Sequence, residues 1–355
     1  MAGKLSRRDF IKLTAGSTAA LGVALWKFPE FEPLMASALK EVPVLWMQCS
    51  GDDGCAVSAL NTFPTTIEDL VLSEVVSGTH ISLQYQQNVM ASQGDMAIQV
   101  LNNVSTGPYA LVVEGAVPTN ENGIFCTVGE NNGTPIPVQQ WVSQLGKNAI
   151  ATIALGTCAS FGGISSTDPN PSGAISVREF FKQQGITTPL INVPGCPPHP
   201  DWFVGTLASV LIGGPTSVEV DDQLRPTAFY STLIHDQCPL RGQFAAGQFA
   251  KKLGDPGCMY ELGCKGPVTH ADCNYRLWNN KTNWCIEANV PCMGCAEVDF
   301  PGKLGNCYTP IKLPDSVLGV PGNVVKGAAV LAAVGVVGAV VKSAFDHKNH
   351  SDAES

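Results

Sequence analysis

Residues 44–61 read VLWMQCSGDDGCAVSALN. A short apolar run ends at Cys49, a small acidic loop follows, and Cys55 opens a second apolar stretch. An apolar run of this length, closed by Gly and Asp, reads as a strand ending in a loop. Similar runs recur as HISLQY (80–85), YALVVEGAV (109–117), AIATIAL (149–155) and PLINV (189–193). Amphipathic stretches with helical character lie between or after them: GDMAIQVLNNV (94–104), PVQQWVSQLG (137–146), ISVREFFKQQG (175–185) and PDWFVGTLASVL (200–211). Strand and helix in alternation predict an α/β, doubly wound parallel sheet covered on both faces.

In such sheets ligands bind beyond the carboxyl ends of the strands. The polar chemistry of this chain falls at those ends. The 49–55 loop follows the first strand, Glu114 ends the third, Cys158 follows AIATIALGT, and Cys196 follows LINVPG. One buried cysteine is usually inert packing, but several strand-end thiols on one rim predict a metal site. The Cys196-Pro197 step also matches the Cys-Pro ending of ferredoxin cluster loops.

The chain has 355 residues, enough for two domains with their own cores, so its 13 cysteines are not needed to staple a small fold. A formal net charge of -9 argues against a nucleic-acid partner, which requires a basic face. After about residue 230 the periodicity fades and cysteines crowd together, with eight of the 13 between Cys238 and Cys307. Two four-donor sets can be drawn there: His235, Cys238, Cys258 and Cys264, and Cys273, Cys285, Cys292 and Cys295. Cys292-Met-Gly-Cys295 is too tight for an easy disulfide and suits two thiolates on one metal or cluster. Iron-sulfur clusters and zinc both fit such donors. With the strand-end group, the donors form three sets, a pattern suited to electron transfer.

Both ends carry targeting signals. Residues 6–28, SRRDFIKLTAGSTAALGVALWKF, hold the pair Arg7-Arg8 ahead of a weakly apolar run, and Ala36-Ser37-Ala38 suits cleavage. This resembles a twin-arginine export signal; the alternative is a basic amphipathic surface helix. Gly327 to Val341 reads GAAVLAAVGVVGAVV between Lys326 and Lys342, and extended to 324–345 it is long enough for a tilted membrane span. The alternative is an Ala/Gly/Val helix packed against protein.

The ordered motifs WMQCSGDDGCAVSALN, VVEGAVPTNENGIF, GTCASFGGI, NVPGCPPHPDW, HDQCPLRGQF, YELGCKGP, PCMGCAE and DFPG together resemble the small subunit of membrane-bound NiFe hydrogenases. The resemblance runs from the export signal to about Pro310. It implies a twin-arginine signal over 1–38, a flavodoxin-like domain over 39–225, an irregular cluster domain over 226–315, and a C-terminal transmembrane anchor with tail over 316–355. It further implies three iron-sulfur clusters that pass electrons from a NiFe site on a large-subunit partner to a membrane cytochrome b or other acceptor, on the periplasmic side of the membrane. A zinc-bound exported module is the competing function.

By resemblance, Cys55, Cys158 and Cys196 bind the proximal cluster, His235, Cys238, Cys258 and Cys264 the distal one, and Cys273, Cys292 and Cys295 the medial one. Many family members have Pro at the fourth medial position; here Cys285 stands there, implying 4Fe-4S rather than 3Fe-4S. The family's first proximal cysteine falls on Asp52, with Cys49 three residues earlier. Asp52 is the expected donor, Cys49 the alternative through a remodelled loop, and redox-linked exchange between them a third. Gly54 and Gly163 replace the two extra cysteines of some oxygen-tolerant members. Glu114 is expected in a proton or packing network, or as an ordinary satisfied carboxylate. Cys126 and Cys307 match no cluster position.

Overall fold

The computed structural model describes residues 42–62, 82–302, 308–311, 316–317 and 320–321. The expected export signal and membrane helix, and Cys307, lie outside the described residues. Five parallel strands form the central sheet: β1 (Pro43–Gln48), β2 (Ser82–Gln86), β3 (Ala110–Glu114), β4 (Ala151–Leu155) and β5 (Leu190–Val193). Their order is β2-β1-β3-β4-β5, the flavodoxin-like arrangement, with a topological switch between β1 and β3. β3 and β4 are buried along their whole length, as expected of central parallel strands covered on both faces.

The period-2 alternation of β1 assigns its side chains to two layers. Val44 and Trp46 join the core beneath α1 (Gly54–Leu60) and α6 (Pro200–Gly213). Leu45 and Met47 join the opposite core, which takes residues from α2 (Asp95–Val104), α3 (Val138–Asn148), α4 (Gly156–Phe161) and α5 (Val177–Gln184). Each Leu or Phe fully buried in these layers contributes about 1.5–3 kcal/mol before its conformational entropy is counted.

The first core continues from α6 into the cysteine-rich half through Phe229, Tyr230, Ile234, Trp284, Ile286 and Ala296. Regular structure there is sparse, consisting of short helical turns such as Ile234–Gln237, Met259–Leu262 and Cys273–Arg276. Polar bonds fasten this half to the sheet domain. Trp202 of α6 donates from its indole to Asp272 at 2.6 Å, and Arg276 bridges Asp272 at 2.7 Å and Asp201 at 3.1 Å. Tyr230 lies 5.0 Å from Trp202 by ring centroid and donates its hydroxyl to the Pro194 carbonyl at 2.7 Å. Buried Arg225 joins Asp221 at 2.8 Å to Glu297 at 3.0 Å.

Candidate metal centres

The strand-end donors come together where the sheet rule expects a ligand. Cys55 sits in the first turn of α1, which begins after Asp53 adopts a left-handed conformation at φ 59°. Cys158 lies in α4, two residues after Gly156 turns the chain out of β4 at φ 87°. A Cβ at Gly156 would stand 2.4 Å from the Cys55 sulfur, so only glycine lets these two elements close together. Cys196 follows β5. Burial pushes the Cys55 thiol well above its ordinary range, helped by the nearby charges of Glu114, Cys158, Cys196 and Asp52. The Cys196 thiol is pushed up to about 12, first by burial and then by Cys295, Cys158 and Asp52. Cys55, Cys158 and Cys196 therefore lie near one another, and the Asp52 charge acts on both Cys55 and Cys196. Asp52 accepts from the Gly54 amide at 3.0 Å and is exposed to solvent.

Cys49 does not join this group. Its amide bonds the Glu114 carbonyl at 2.7 Å, prolonging the β1 register, and its side chain packs with Leu45, Met47 and Cys126 in the opposite layer. The physical reason is the two-residue side-chain period, which turns residue 49 to the face occupied by 45 and 47. Burial and then Cys126 raise the Cys49 thiol well above its ordinary range.

Glu114 is 2% exposed on the Cys55 side of the sheet. It accepts from the Trp46 indole at 2.9 Å and from the Ala56 amide at 3.0 Å. Burial raises its pKa while these two bonds favour the charged form. The carboxylate therefore anchors the start of α1, one residue from Cys55.

The second group is His235, Cys238, Cys258 and Cys264, which line one small enclosed cavity together with Trp284. His235 is only 6% exposed, and its Nε2 and the Trp284 indole nitrogen are buried without hydrogen-bond partners. Burial, reinforced by Arg241, lowers the His235 pKa and favours the neutral imidazole, the form that binds metal. Phe244 shields the ring at a centroid distance of 4.6 Å. The third group is Cys273, Cys285, Cys292 and Cys295; burial raises Cys273, followed by the charges of Cys295, Cys292, Asp272 and Cys285.

Donors from adjacent groups also meet. Cys196 of the first lies within electrostatic reach of Cys295 in the third. Cys264 of the second does the same with Cys292, and the Lys265 amide donates to the Cys292 carbonyl at 2.7 Å. The order is strand-end group, Cys273 group, His235 group. All twelve cysteines among the described residues are free thiols. Among these residues no three His, Cys, Asp or Glu side chains gather closely enough to hold a single metal ion. The donors fit iron-sulfur clusters in chemistry: thiolates completed by one carboxylate in the first set and one imidazole in the second. The unpartnered His235 nitrogen supplies an independent sign of a missing ligand bond.

Sequence reasoning passed over Thr157, Arg225, Tyr230 and Trp202, which lie between or beside the donor groups. Thr157 directly precedes a candidate ligand, the only local signal available; the others became visible through contacts across 36 residues or more.

A flavodoxin-like sheet with candidate donors at its carboxyl edge and a cysteine-rich second half defines a cysteine-rich α/β protein of the metal-binding class. Residues 230–308 match the family defined by the C-terminal part of the NiFe/NiFeSe hydrogenase small subunit, and residues 52–210 match the NADH ubiquinone oxidoreductase 20 kDa subunit family. The periplasmic [NiFeSe] hydrogenase small subunit of Desulfomicrobium baculatum is 41% identical over 310 residues, covering 84% of this chain and 96% of the relative. The quinone-reactive Ni/Fe-hydrogenase small chain of Wolinella succinogenes is 35% identical over 318 residues, covering 86% and 84% respectively. The crystal structure of the reduced, active Ni-Fe-Se hydrogenase from D. baculatum aligns with a TM-score of 0.72 at 41% identity, covering 77% of this chain and all of that one. The actinobacterial-type NiFe-hydrogenase of Ralstonia eutropha H16 aligns with a TM-score of 0.72 at 28% identity, covering 84% and 92%. This chain belongs to the NiFe/NiFeSe hydrogenase small-subunit family.

Proposed function

We propose that the chain is the electron-transfer subunit of an uptake hydrogenase, carrying three iron-sulfur clusters between a nickel-iron site on a large subunit and an external acceptor. The observation that carries this reading is the serial arrangement of the three donor groups, with Cys196 beside Cys295 and Cys264 beside Cys292. A linear relay needs neighbouring sites to approach one another, whereas independent structural zinc sites have no such requirement.

On this reading Asp52, Cys55, Cys158 and Cys196 hold the proximal cluster. Cys273, Cys285, Cys292 and Cys295 hold the medial cluster, and His235, Cys238, Cys258 and Cys264 the distal one. When bound, an iron-sulfur cluster supplies reversible one-electron redox chemistry. The protein tunes it through ligand charge, burial and hydrogen bonds to sulfur. Asp52 provides a harder donor than thiolate at the proximal end. Glu114 fixes the Cys55 turn through Ala56, and Phe244 restricts solvent at His235. The four medial thiols favour a 4Fe-4S cluster over 3Fe-4S.

The large subunit docks over the proximal edge. Val57 and Leu60, one turn apart on α1, are 57% and 47% exposed, while Ile164 beyond α4 is 57% exposed. Val57 and Leu60 share the helix that carries Cys55, and Asp52 just before it is also exposed, so docking there would exclude water from the proximal site. This chain supplies no separate nickel site: its one Cys-x-x-Cys pair, Cys292 and Cys295, belongs to the medial set.

Residues 1–38 serve as the export signal and residues 324–345 as the membrane anchor in this proposal, delivering electrons to a cytochrome b or other quinone-linked acceptor. Among the described residues no helix is long and apolar enough to cross a membrane. Deletion of residues 324–345 is expected to shift the chain from the membrane to the soluble fraction.

Metal and sulfide analysis of the purified chain with its partner tests the central reading. About twelve irons per chain with matching acid-labile sulfide are expected, and the oxidised EPR spectrum should lack a stoichiometric 3Fe-4S signal. Zinc without sulfide would overturn the relay, and hydrogen oxidation by the isolated chain would overturn the division of labour.

A further inference from the structure

Thr157 stands where the strand-end group meets the Cys273 group. It is 1% exposed and immediately precedes Cys158. Its amide donates to the Gly195 carbonyl at 2.9 Å, and its Oγ1 accepts from the Gly195 amide at 2.9 Å. The same hydroxyl donates its proton to the Cys295 carbonyl. One side chain therefore grips the turn that carries Cys196, sits beside Cys158, and reaches the backbone of a ligand in the neighbouring group.

We propose that Thr157 is a positioning residue that couples the proximal and medial sites, locking the Cys196 turn against Cys295 through both hydrogen-bonding functions of its hydroxyl. This rests on the three-cluster reading above. The consequence for the medial site follows from this geometry: the hydroxyl that holds the Cys196 turn at Gly195 is also the donor to the Cys295 carbonyl.

A threonine is suited to this place because both hydroxyl functions are used. Valine has nearly the same shape but can neither accept from Gly195 nor donate to Cys295; serine retains both functions. Losing the hydroxyl would leave the Gly195 amide without its acceptor and free the two turns to separate. Without the hydroxyl the Cys295 carbonyl beside the medial site loses its donor, its negative end is left uncompensated, and adding an electron there becomes less favourable. Thr157 itself gains or loses neither an electron nor a proton in this role.

The test uses the full chain assembled with its partner, comparing wild type, Thr157→Val, Thr157→Ala and Thr157→Ser. Iron content, EPR-monitored potentials and the dipolar interaction between proximal and medial signals are the readouts. Valine and alanine are expected to keep all clusters while shifting the medial reduction equilibrium about tenfold towards the oxidised form, a fall of about 59 mV for a one-electron couple. They should also weaken the proximal-medial dipolar interaction and leave the distal potential unchanged, while serine restores wild-type values. Full iron content with unchanged medial potential and dipolar interaction would overturn the role of Thr157 alone. Loss of medial iron in both valine and alanine variants, but not in serine, would make the hydroxyl a folding requirement and also overturn the coupling role. A wild-type complex lacking separate proximal and medial signals would instead overturn the three-cluster reading itself.

Discussion

Replacing Arg225 with methionine should loosen the medial ligand loop while sparing the sheet. The guanidinium side chain is 6% exposed and bonds Asp221 at 2.8 Å, Glu297 at 3.0 Å and the Ala296 carbonyl at 3.3 Å. Glu297 is 13% exposed and also accepts from the His270 amide at 2.6 Å. Removing the cation leaves a buried carboxylate next to Cys295 without its main counter-charge. Breaking one side of such a pair costs about 3–5 kcal/mol, equivalent to about a hundredfold to several thousandfold in a local opening equilibrium. Hydrogen exchange on the assembled protein measures this directly: segment 292–300 should exchange faster by that factor, with β3 as an internal reference. Glu297→Gln in the same chain should recover about 0.5–3 kcal/mol by removing the stranded charge. An acceleration below tenfold in Arg225→Met, or no recovery in the double variant, would refute the assignment of Arg225 as the tie between these halves.

Three further outcomes concern the strand-end site. Asp52→Ala should shift the proximal potential and release at most about one iron, whereas Cys49→Ser should leave both iron content and potential unchanged; the reverse pattern would return Cys49 to the ligand set. Gly156→Ala should abolish the proximal EPR signal while retaining the distal one, because a left-handed non-glycine residue costs about 1–2 kcal/mol and its Cβ would lie 2.4 Å from the Cys55 sulfur; an intact proximal signal would contradict that packing. Burial raises the folded-state pKa of Glu114 above 4.5, so its stability contribution is present below pH 4.5 and is lost as pH rises through the folded value; Glu114→Gln should remove this slope from the hydrogen exchange of α1, and an unchanged slope would assign the titration elsewhere.

Four strands of the sheet were legible from their apolar runs and the edge strand β2 from the alternation in HISLQY, and the long amphipathic helices between them keep a clear 3.6-residue period. Two short helices were not. Residues 54–60 and 156–161 span fewer than two full turns, and each starts at a left-handed or glycine-permitted turn with no side-chain capping bond. The hairpin of Thr127–Asn131 and Thr134–Pro137 was also missed, since its Thr, Gly, Asn and Pro residues read as loop. The candidate donor sets were drawn from cysteine spacing, His235 and the family resemblance. The position of Cys49 required the register of β1 to be followed one residue past its apolar end.

Sequence by itself determined the parallel-sheet class, the rim on which the first donors lie, and the family to which the motifs point. Those features depend on local hydrophobic period, residue type and spacing, which survive in one dimension. Only the tertiary structure decided that Cys49 turns towards Cys126 on the face away from Cys55, because the strand pleat carries residue 49 to the side of Leu45 and Met47. It also brought Cys196 of the sheet domain to Cys295 of the cysteine-rich half, and set Thr157 between them. Such meetings arise from α6 and the cysteine-rich half closing over one continuous core, a long-range packing outcome that no local pattern records.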